Sequence, residues 1–290
     1  MTTQQARTHG KKSGFTLIEL SIVLVIIGLI VGGVLVGQDL IKAAELRATI
    51  GQLEKYDAAV NTFRGKYNAL PGDMNSAASF GFVTASGNGD GLIGTDPAAG
   101  QTAGAVDDGT EFALESATFF SHMADANLIS EAINAYAGTG TTKTTGYVAA
   151  DIDEAANFMP VSKLGRGTLV AVRGAAGQNF FFIGVPAVEN GVATYADGSQ
   201  IPVIDAFQID SKLDDGNPSI GRVVSAEESV TASTAGTFTT VDAGAAAGTA
   251  GECKSNNGTA DPATSDDRYN TGTTALANDT ECVLRIRASF

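Results

Sequence analysis

Residues 11–36 read KKSGFTLIELSIVLVIIGLIVGGVLV, and this stretch decides the architecture of the N-terminal part of the chain. From residue 15 to residue 36 the only ionisable side chain is that of Glu19. A helix of these 22 residues spans about 33 Å, close to the roughly 30 Å thickness of the hydrocarbon core of a bilayer. We therefore expect residues 15–36 to form a helix that can cross a membrane.

The residues before this segment are basic, because residues 1–14 contain Arg7, Lys11 and Lys12 but no acidic residue. Positive charge that flanks a membrane helix stays on the cytoplasmic side. The sequence therefore predicts a cytoplasmic N-terminus, a single membrane crossing and an extracytoplasmic location for residues 38–290.

Two other interpretations of the apolar segment remain open: a cleaved secretory signal and a plain signal anchor. A secretory signal would be cut after small residues such as those at 31–33. However, the apolar core of such a signal is normally about 7 to 15 residues long, and a carboxylate in an apolar span is costly. A plain anchor would leave Glu19 near the membrane edge, where its carboxylate could reach the lipid headgroups.

The third interpretation rests on KKSGFTLIEL, in which basic residues precede Gly14 and Phe15 and a glutamate follows Phe15 by four residues. This order resembles the class III leader of type IV pilins and type II secretion pseudopilins. The resemblance implies that a prepilin peptidase cleaves between Gly14 and Phe15 and N-methylates the new amino group of Phe15. Residues 1–14 would then be a removable leader, and residues 15–36 would remain as the transmembrane and filament-core helix.

Glu19 needs a partner if its carboxylate is ionised in hydrocarbon, because an unpaired charge there is costly. The resemblance implies that this partner is the methylated amine of Phe15, on the same or on a neighbouring subunit. Such a pair adds little net stability, but it specifies the stagger between subunits, since any other stagger leaves both charges unpaired.

Four glycines in the same segment form two overlapping GxxxG spacings: Gly28, Gly32, Gly33 and Gly37. Small residues at this spacing let membrane helices approach closely. The resemblance implies an assembly role for Gly28 and Gly32, because the N-terminal helix of assembled pili is locally melted around such a stretch. Dimerisation of a single-pass membrane protein is the alternative.

Residues 37–70 continue the helix with one apolar face. Apolar residues recur there at intervals of three and four, as one face of a helix requires; they are Leu46, Ile50, Leu53, Tyr56, Val60, Phe63 and Tyr67. Pro71 ends the pattern, because the residue before a proline disfavours the helical conformation.

Residues 71–290 are predicted to form an extracytoplasmic globular head. The patterns predict helices at 111–136, with Phe112, Phe119, Met123 and Leu128 facing inward, and at 202–216, and strands at 168–174, 179–188, 219–226 and 282–290. The sequence therefore predicts an α+β fold in which a long N-terminal helix packs on an antiparallel sheet. The resemblance implies the same type IV pilin-like architecture.

The chain has two cysteines, Cys253 and Cys282. An extracytoplasmic location favours a disulfide between them over two free thiols. Residues 225–281 are dominated by small and polar side chains, which cannot bury much surface. The resemblance implies that residues 253–282 are a disulfide-bounded, exposed C-terminal loop.

Candidate metal ligands are few. In SGNGDGLIG, Asn88 and Asp90 match the third and fifth positions of an EF-hand loop, but Ser86 and Pro97 occupy the first and last positions. We expect an Asn/Asp/Gly turn here, with calcium binding as a weaker hypothesis and no other cofactor. His122 lies in an apolar helical stretch without a nucleophile motif, so we expect a packing role for it.

Two further candidate residues, Asp214 and Asp215, are adjacent in LDDGNP. We expect these carboxylates to cap a turn before Gly216. A ligand-binding role is the alternative.

The charge balance restricts the function further. The chain has 18 Lys plus Arg, 32 Asp plus Glu and a formal charge of −14, so nucleic-acid binding through a broad basic face is not expected. We predict a structural filament subunit rather than an enzyme. The resemblance implies an inner-membrane precursor and then an extracellular or periplasmic filament; its partners would be the lipid bilayer, prepilin peptidase, an inner-membrane assembly platform, copies of the same chain and other pilin-like subunits.

Alternatives within and outside this class remain. The 276 residues after Gly14 are many for a major pilin, so a minor pilin or a type II secretion pseudopilin is open. A membrane-anchored adhesin, a calcium-binding module or an enzyme is less favoured, because the head offers no complete catalytic or metal motif.

Overall fold

A computed structural model describes residues 16–82, 87–94, 114–134, 157–175, 177–185, 187–189, 192–194, 201–226, 253–255, 268–269, 271 and 280–290. The chain divides into two compact units, Met1–Ala44 and Glu45–Phe290. Several residues of the sequence analysis lie outside the described residues: Gly14, Phe15, Phe112, the outer EF-hand positions Ser86 and Pro97, and most of residues 225–281.

The longest element is helix α1, which runs without interruption over Leu17–Tyr67. From residue 17 to residue 36 every side chain on it is exposed. The large apolar ones include Leu17, which is 87% exposed, and Ile26, which is 51% exposed. A helix that is apolar on all sides requires an apolar environment from a membrane or from other chains.

From Glu45 onward the same helix is amphipathic and contributes to the core of the second unit. Its buried residues are Leu46, Thr49, Gln52, Leu53, Tyr56, Asp57, Ala59, Val60 and Phe63. The predicted apolar face is thus confirmed, although Ile50 and Tyr67 at its margins are only half-buried. The helix ends at Tyr67, and Asn68 follows with a positive φ of 53°, three residues before Pro71.

Two shorter α-helices lie in the head: α2 over Leu114–Asp125 and α3 over Val203–Leu213. Both match predicted helices, but α2 ends well before the expected residue 136. Asn127, with a φ of 58°, donates its N–H to the carbonyl oxygen of Ala124, at 2.9 Å. A left-handed residue at this position stops a helix. A short 3₁₀ helix covers Ala77–Phe80.

Nine strands are described: β1 Leu169–Ala175, β2 Gln178–Gly184, β3 Ala187–Glu189, β4 Val192–Thr194, β5 Ile201–Pro202, β6 Val223–Ala226, β7 Lys254–Ser255, β8 Arg268–Tyr269 and β9 Thr280–Arg287. The single strand predicted at 179–188 is wrong, because β2 ends at Gly184 and residues 187–189 pair with β4 in a separate hairpin. β7 and β8 form another small hairpin.

The main sheet is antiparallel and has β9 at its centre. Its order is β1-β2-β9-β5, and β6 also pairs with β9. In register, Val172 lies opposite Phe181, and Phe181 lies opposite Ile286. These three side chains share one face of the sheet, because side chains directly across from one another point to the same side.

The core of this unit lies between that face of the sheet, the amphipathic half of α1 and helices α2 and α3. Phe119 and Met123 are fully buried, as predicted, and so is Phe120, whereas Leu128 is half-buried. The ring of Tyr56 packs 5.3 Å from that of Phe120 and 6.3 Å from that of Phe181. The predicted α+β fold, with a long helix packed on an antiparallel sheet, is confirmed.

The predicted disulfide between Cys253 and Cys282 is also confirmed. Both residues are fully buried, and their Cα atoms are 5.1 Å apart. Because Cys282 belongs to β9, the bridge ties the segment before β7 to the central strand of the main sheet.

Candidate assembly segment

The N-terminal end of α1 is closed by Thr16 and Glu19. The Thr16 N–H and its hydroxyl both donate to Glu19 Oε2, at 2.8 and 2.7 Å. In return the Glu19 N–H donates to Thr16 Oγ1 at 3.3 Å. This reciprocal arrangement is a capping box, which satisfies backbone donors that the first turn of a helix leaves without partners.

The capping box gives Glu19 a partner within its own chain, which our sequence interpretation missed. That interpretation assigned the carboxylate to the amine of Phe15, or else to the lipid headgroups. The sequence does contain the pattern of a capping box, because Thr16-Leu17-Ile18-Glu19 is a T-x-x-E pattern before an apolar run. Phe15 lies outside the described residues, so its pairing with Glu19 stays a prediction.

The apolar half of α1 is the one helix in the described part of the chain that is long and apolar enough to cross a membrane, judged by length and composition. Among its glycines, Gly28 and Gly32 face open space, because a Cβ added at either would meet nothing within 4 Å. The surface around them can therefore accept a second helix at close range. The helix is continuous there, so the local melting implied by the resemblance stays a prediction about the assembled state.

In the head, His122 is a packing residue. Its Nδ1 accepts the Gly72 N–H at 2.9 Å, and its ring stacks on Phe63 with the centroids 6.2 Å apart. The residue is fully buried, and burial lowers the pKa of the imidazole to about 4. The ring is therefore neutral at physiological pH, and it holds the turn after α1 against α2.

The turn at residues 87–94 is organised by two buried carboxylates from outside it. Asp73 accepts the N–H groups of Gly89, Asp90 and Gly91, at 2.6, 3.0 and 2.8 Å. Glu115 of α2 accepts those of Asn88 and Gly94, at 2.9 and 2.8 Å. Burial raises the pKa of both carboxyl groups, and that of Glu115 reaches about 8.

The two weak calcium candidates lie within this turn and bond to each other. The Asp90 N–H donates to Asn88 Oδ1 at 2.8 Å, and Asn88 Nδ2 donates to Asp90 Oδ2 at 3.0 Å. Asp90 Oδ1 also accepts the Leu92 N–H at 2.8 Å. The predicted Asn/Asp/Gly turn is therefore present, and a divalent cation held by Asn88 and Asp90 stays a prediction.

Three other carboxyl groups lie close together after α3. Oxygen atoms of Asp210, Asp214 and Asp215 are within 4.8 Å of one another. Asp210 accepts the Tyr269 hydroxyl at 2.9 Å and the Gly216 N–H at 3.1 Å, and burial raises its pKa to about 7. Asp214 and Asp215 accept backbone N–H groups of residues 217, 222 and 223. Asp210 and Asp215 therefore stabilise the turn around Gly216, as predicted for Asp215. Asp214 instead binds residues 222 and 223, which lie beyond the predicted turn.

Comparison with known proteins finds a match for the N-terminal segment. Residues 9–35 match the family model described as the prokaryotic N-terminal methylation motif. The chain thus carries the prepilin-type signal of type IV pilins and pseudopilins, and the resemblance drawn from KKSGFTLIEL is confirmed. No curated protein and no solved structure is significantly similar to the chain. The motif points to a structural protein with an apolar N-terminal anchor.

Proposed function

We propose that this protein is a structural subunit of a type IV pilus-like filament. A prepilin peptidase cleaves it between Gly14 and Phe15 and N-methylates Phe15, and the subunits polymerise through residues 15–36. One observation carries the proposal: the methylation motif at residues 9–35 overlaps residues 17–36 of α1, the part of the helix whose apolar side chains are exposed on every side.

The physical argument concerns where that apolar surface is buried. Each large aliphatic side chain gains about 1.5 to 3 kcal/mol when it leaves water. Lipid tails and the side chains of neighbouring helices bury such a surface about equally well. Transfer from a bilayer into a core of parallel helices is therefore nearly neutral, so the same segment can store the subunit in the inner membrane and later form the filament.

Glu19 specifies the stagger of subunits in this proposal. Its Oε2 is held by Thr16, while Oε1 has no hydrogen-bond partner among the described residues. A methylated amine from a neighbouring Phe15 can approach this second oxygen without breaking the capping box. The filament, extracellular or periplasmic, then grows from an inner-membrane assembly platform, with copies of this chain and other pilin-like subunits as partners.

A minor pilin or a type II secretion pseudopilin is the second candidate. The size of the head favours it, because residues 71–290 are many for a subunit that repeats along a whole filament. Abundance in purified filaments separates the two, since a minor subunit would be present at a few copies per filament.

Mass spectrometry of the protein from sheared surface filaments or periplasmic pseudopili tests the proposal. The expected N-terminus is methylated Phe15. A Gly14→Val variant should keep its leader and fail to assemble, whereas Gly10→Val, a matched change inside the leader, should be processed normally. An N-terminus at Met1, or one created by cleavage after Gly33, would contradict the proposal.

A further inference from the structure

A cavity of about 400 Å³ lies in the second unit, beside the end of α1. Its walls come from within residues 64–75, from residues 89–91 and from Phe290. Most of the lining residues are exposed, so the cavity is open to solvent. Small-molecule sites have volumes of roughly 300 to 1,000 Å³, and a ligand of one or two small rings therefore fits this cavity.

One wall of the cavity is held in place by Asp73, a lining residue that is only 3% exposed. Its carboxylate accepts the N–H groups of residues 89–91, which belong to the same wall. A carboxylate has about four lone-pair sites, so these three bonds leave about one for a ligand. The wall is therefore formed without a ligand, and Asp73 is poorly suited to hold a metal ion.

The other polar side chains of the cavity combine hydrogen-bond donors and acceptors. Arg64, Asn68 and Asn75 line it and are exposed, and their side chains bond to no residue that the structure describes. Asp90 adds a carboxylate, each oxygen of which accepts one N–H group and has room for another. A guanidinium only donates, a carboxylate only accepts, and an amide does both. A ligand with several hydroxyl groups, which also donate and accept, can satisfy all of them.

The charges of the cavity favour an uncharged ligand. The exposed side chains of Arg64 and Asp90 have opposite signs, and the charge of the Asp73 carboxylate is directed toward three backbone N–H groups. An anion would meet carboxylates in the same cavity as the guanidinium, and a cation would meet the guanidinium. Either therefore loses on one side part of what it gains on the other.

Phe290 gives the cavity an apolar wall. Its ring stacks on that of Phe119, with the centroids 5.8 Å apart, and meets that of Phe181 edge-on at 5.9 Å. The residue is nevertheless only half-buried, and Ala69 and Leu70 line the cavity with it. An aromatic ring held in this way offers a fixed apolar surface beside the polar side chains.

We propose that this cavity binds one or two rings of a neutral carbohydrate. A sugar ring has hydroxyl groups around its edge for the polar side chains and a C–H face for the apolar wall. A divalent cation, a phosphate or a free amino acid uses only part of this lining. Carbohydrate binding is additional to polymerisation, and it can take place on the unassembled subunit.

Saturation-transfer difference NMR on the full chain tests the proposal. The chain is held in micelles of a zwitterionic detergent, because many other detergents carry sugar headgroups. The probes are glucose, galactose, mannose, N-acetylglucosamine, N-acetylgalactosamine, maltose, lactose and chitobiose. We expect transfer to the ring C–H protons of at least one probe. Absence of transfer to all of them would overturn the proposal.

A double variant locates the binding. Arg64→Ala, Asn75→Ala removes two exposed side chains of the cavity and should raise the Kd of the bound probe about tenfold or more, since two hydrogen bonds are lost. Arg47→Ala, Asn61→Ala is the matched control: both residues are exposed on α1 but do not line the cavity, and the Kd should stay at the wild-type value. Near-UV circular dichroism reports that each variant folds. Asn75→Ala alone repeats the measurement with a smaller expected change, about threefold.

The remaining outcomes are also decisive. Equal Kd values for the double variant and its control would show that the sugar binds elsewhere and would overturn the proposal. Calcium chloride, inorganic phosphate and alanine are each titrated alone by calorimetry. Binding of one of these to the wild-type chain but not to the double variant, without transfer to any sugar, would assign the cavity to a charged ligand and overturn the proposal as well. Failure of the chain to enter filaments would contradict the proposed function only, because the NMR measurement uses unassembled subunits.

Discussion

The two halves of α1 share one secondary structure and have opposite surroundings. Between residues 17 and 36 every side chain is exposed, whereas nine residues from Leu46 to Phe63 are buried in the head. The exposed half is also the more apolar one. The half of α1 with more apolar residues is thus not the half that packs in the head. The packed half is instead the one in which polar residues are confined mainly to one side of the helix.

The buried half also contains polar residues, and their hydrogen bonds are satisfied. Gln52 donates to the Tyr56 hydroxyl and the Val161 carbonyl oxygen and accepts the Lys163 N–H, at 2.8, 2.9 and 3.0 Å. Buried polar groups with partners fix a single packing arrangement, because any other arrangement leaves them unpaired. The apolar half has no buried polar side chain between residues 17 and 36, which fits the proposal that its surface exchanges lipid for other helices.

The largest expected effect separates the two halves directly. Phe63→Ala removes a fully buried ring and should lower the free energy of unfolding of the head by about 3 to 5 kcal/mol. Leu29→Ala, at a side chain that is 78% exposed, should change it by less than about 0.5 kcal/mol. Denaturant titration of the purified chains in detergent, followed by near-UV circular dichroism, measures both. Equal effects would contradict the division of α1.

The second prediction concerns His122 and pH. The folded pKa of about 4 lies below the ordinary value near 6.5, so between these values the unfolded chain binds more protons than the folded one. Stability from this group is therefore present above about pH 6.5 and is lost as the pH falls toward 4, by about 3 kcal/mol in total.

His122→Asn isolates this effect, because the amide oxygen can still accept the Gly72 N–H but does not titrate. Unfolding free energies of both proteins should be measured from pH 7 to pH 4. The wild-type protein should lose more stability than the variant over this range. Parallel pH profiles would show that the imidazole does not cause the loss.

The third prediction concerns Asp57, a charged residue on the buried side of α1. Its carboxylate accepts the Ser289 N–H at 3.1 Å and pairs with Arg222 at 3.3 Å. Asp57→Ala should therefore cost about 1 to 3 kcal/mol, because both partners lose their acceptor. Glu54→Ala, an exposed acid one turn earlier, is the control and should be nearly neutral in the same denaturation assay.

The smallest effect is expected at the start of the apolar half. Thr16→Val removes the capping box and should destabilise the first turn of α1 by about 1 kcal/mol, whereas Thr16→Ser should preserve it. Hydrogen exchange of the backbone amides of residues 17–20 in detergent micelles reports the difference. Identical protection in the two variants would show that the hydroxyl does not cap the helix.

Much of this architecture was predictable because its determinants are local. The apolar run, the three-and-four spacing after residue 45 and Pro71 predicted both halves of α1 and its end. The strand at 179–188 was predicted too long, because a β-branched and aromatic run does not show where pairing partners change.

The arrangement around residues 87–94 could not be predicted in the same way. Asp73 lies 14 residues before this turn, and Glu115 lies 21 residues after it. No local sequence pattern identifies a carboxylate that will accept backbone N–H groups so far away along the chain. The position of β9 at the centre of the sheet is equally non-local. By contrast, the capping box of Thr16 and Glu19 is local, and its pattern was present in the sequence.

The central position of β9 also has a consequence for the order in which the molecule can be made. A ribosome synthesises the chain from its N-terminus, so α1 is complete more than 200 residues before residues 280–287 exist. Strands β2, β5 and β6 all pair with β9, so the sheet cannot close until that strand is available. The apolar half of α1, residues 17–36, is therefore present during nearly the whole of synthesis before the head can fold.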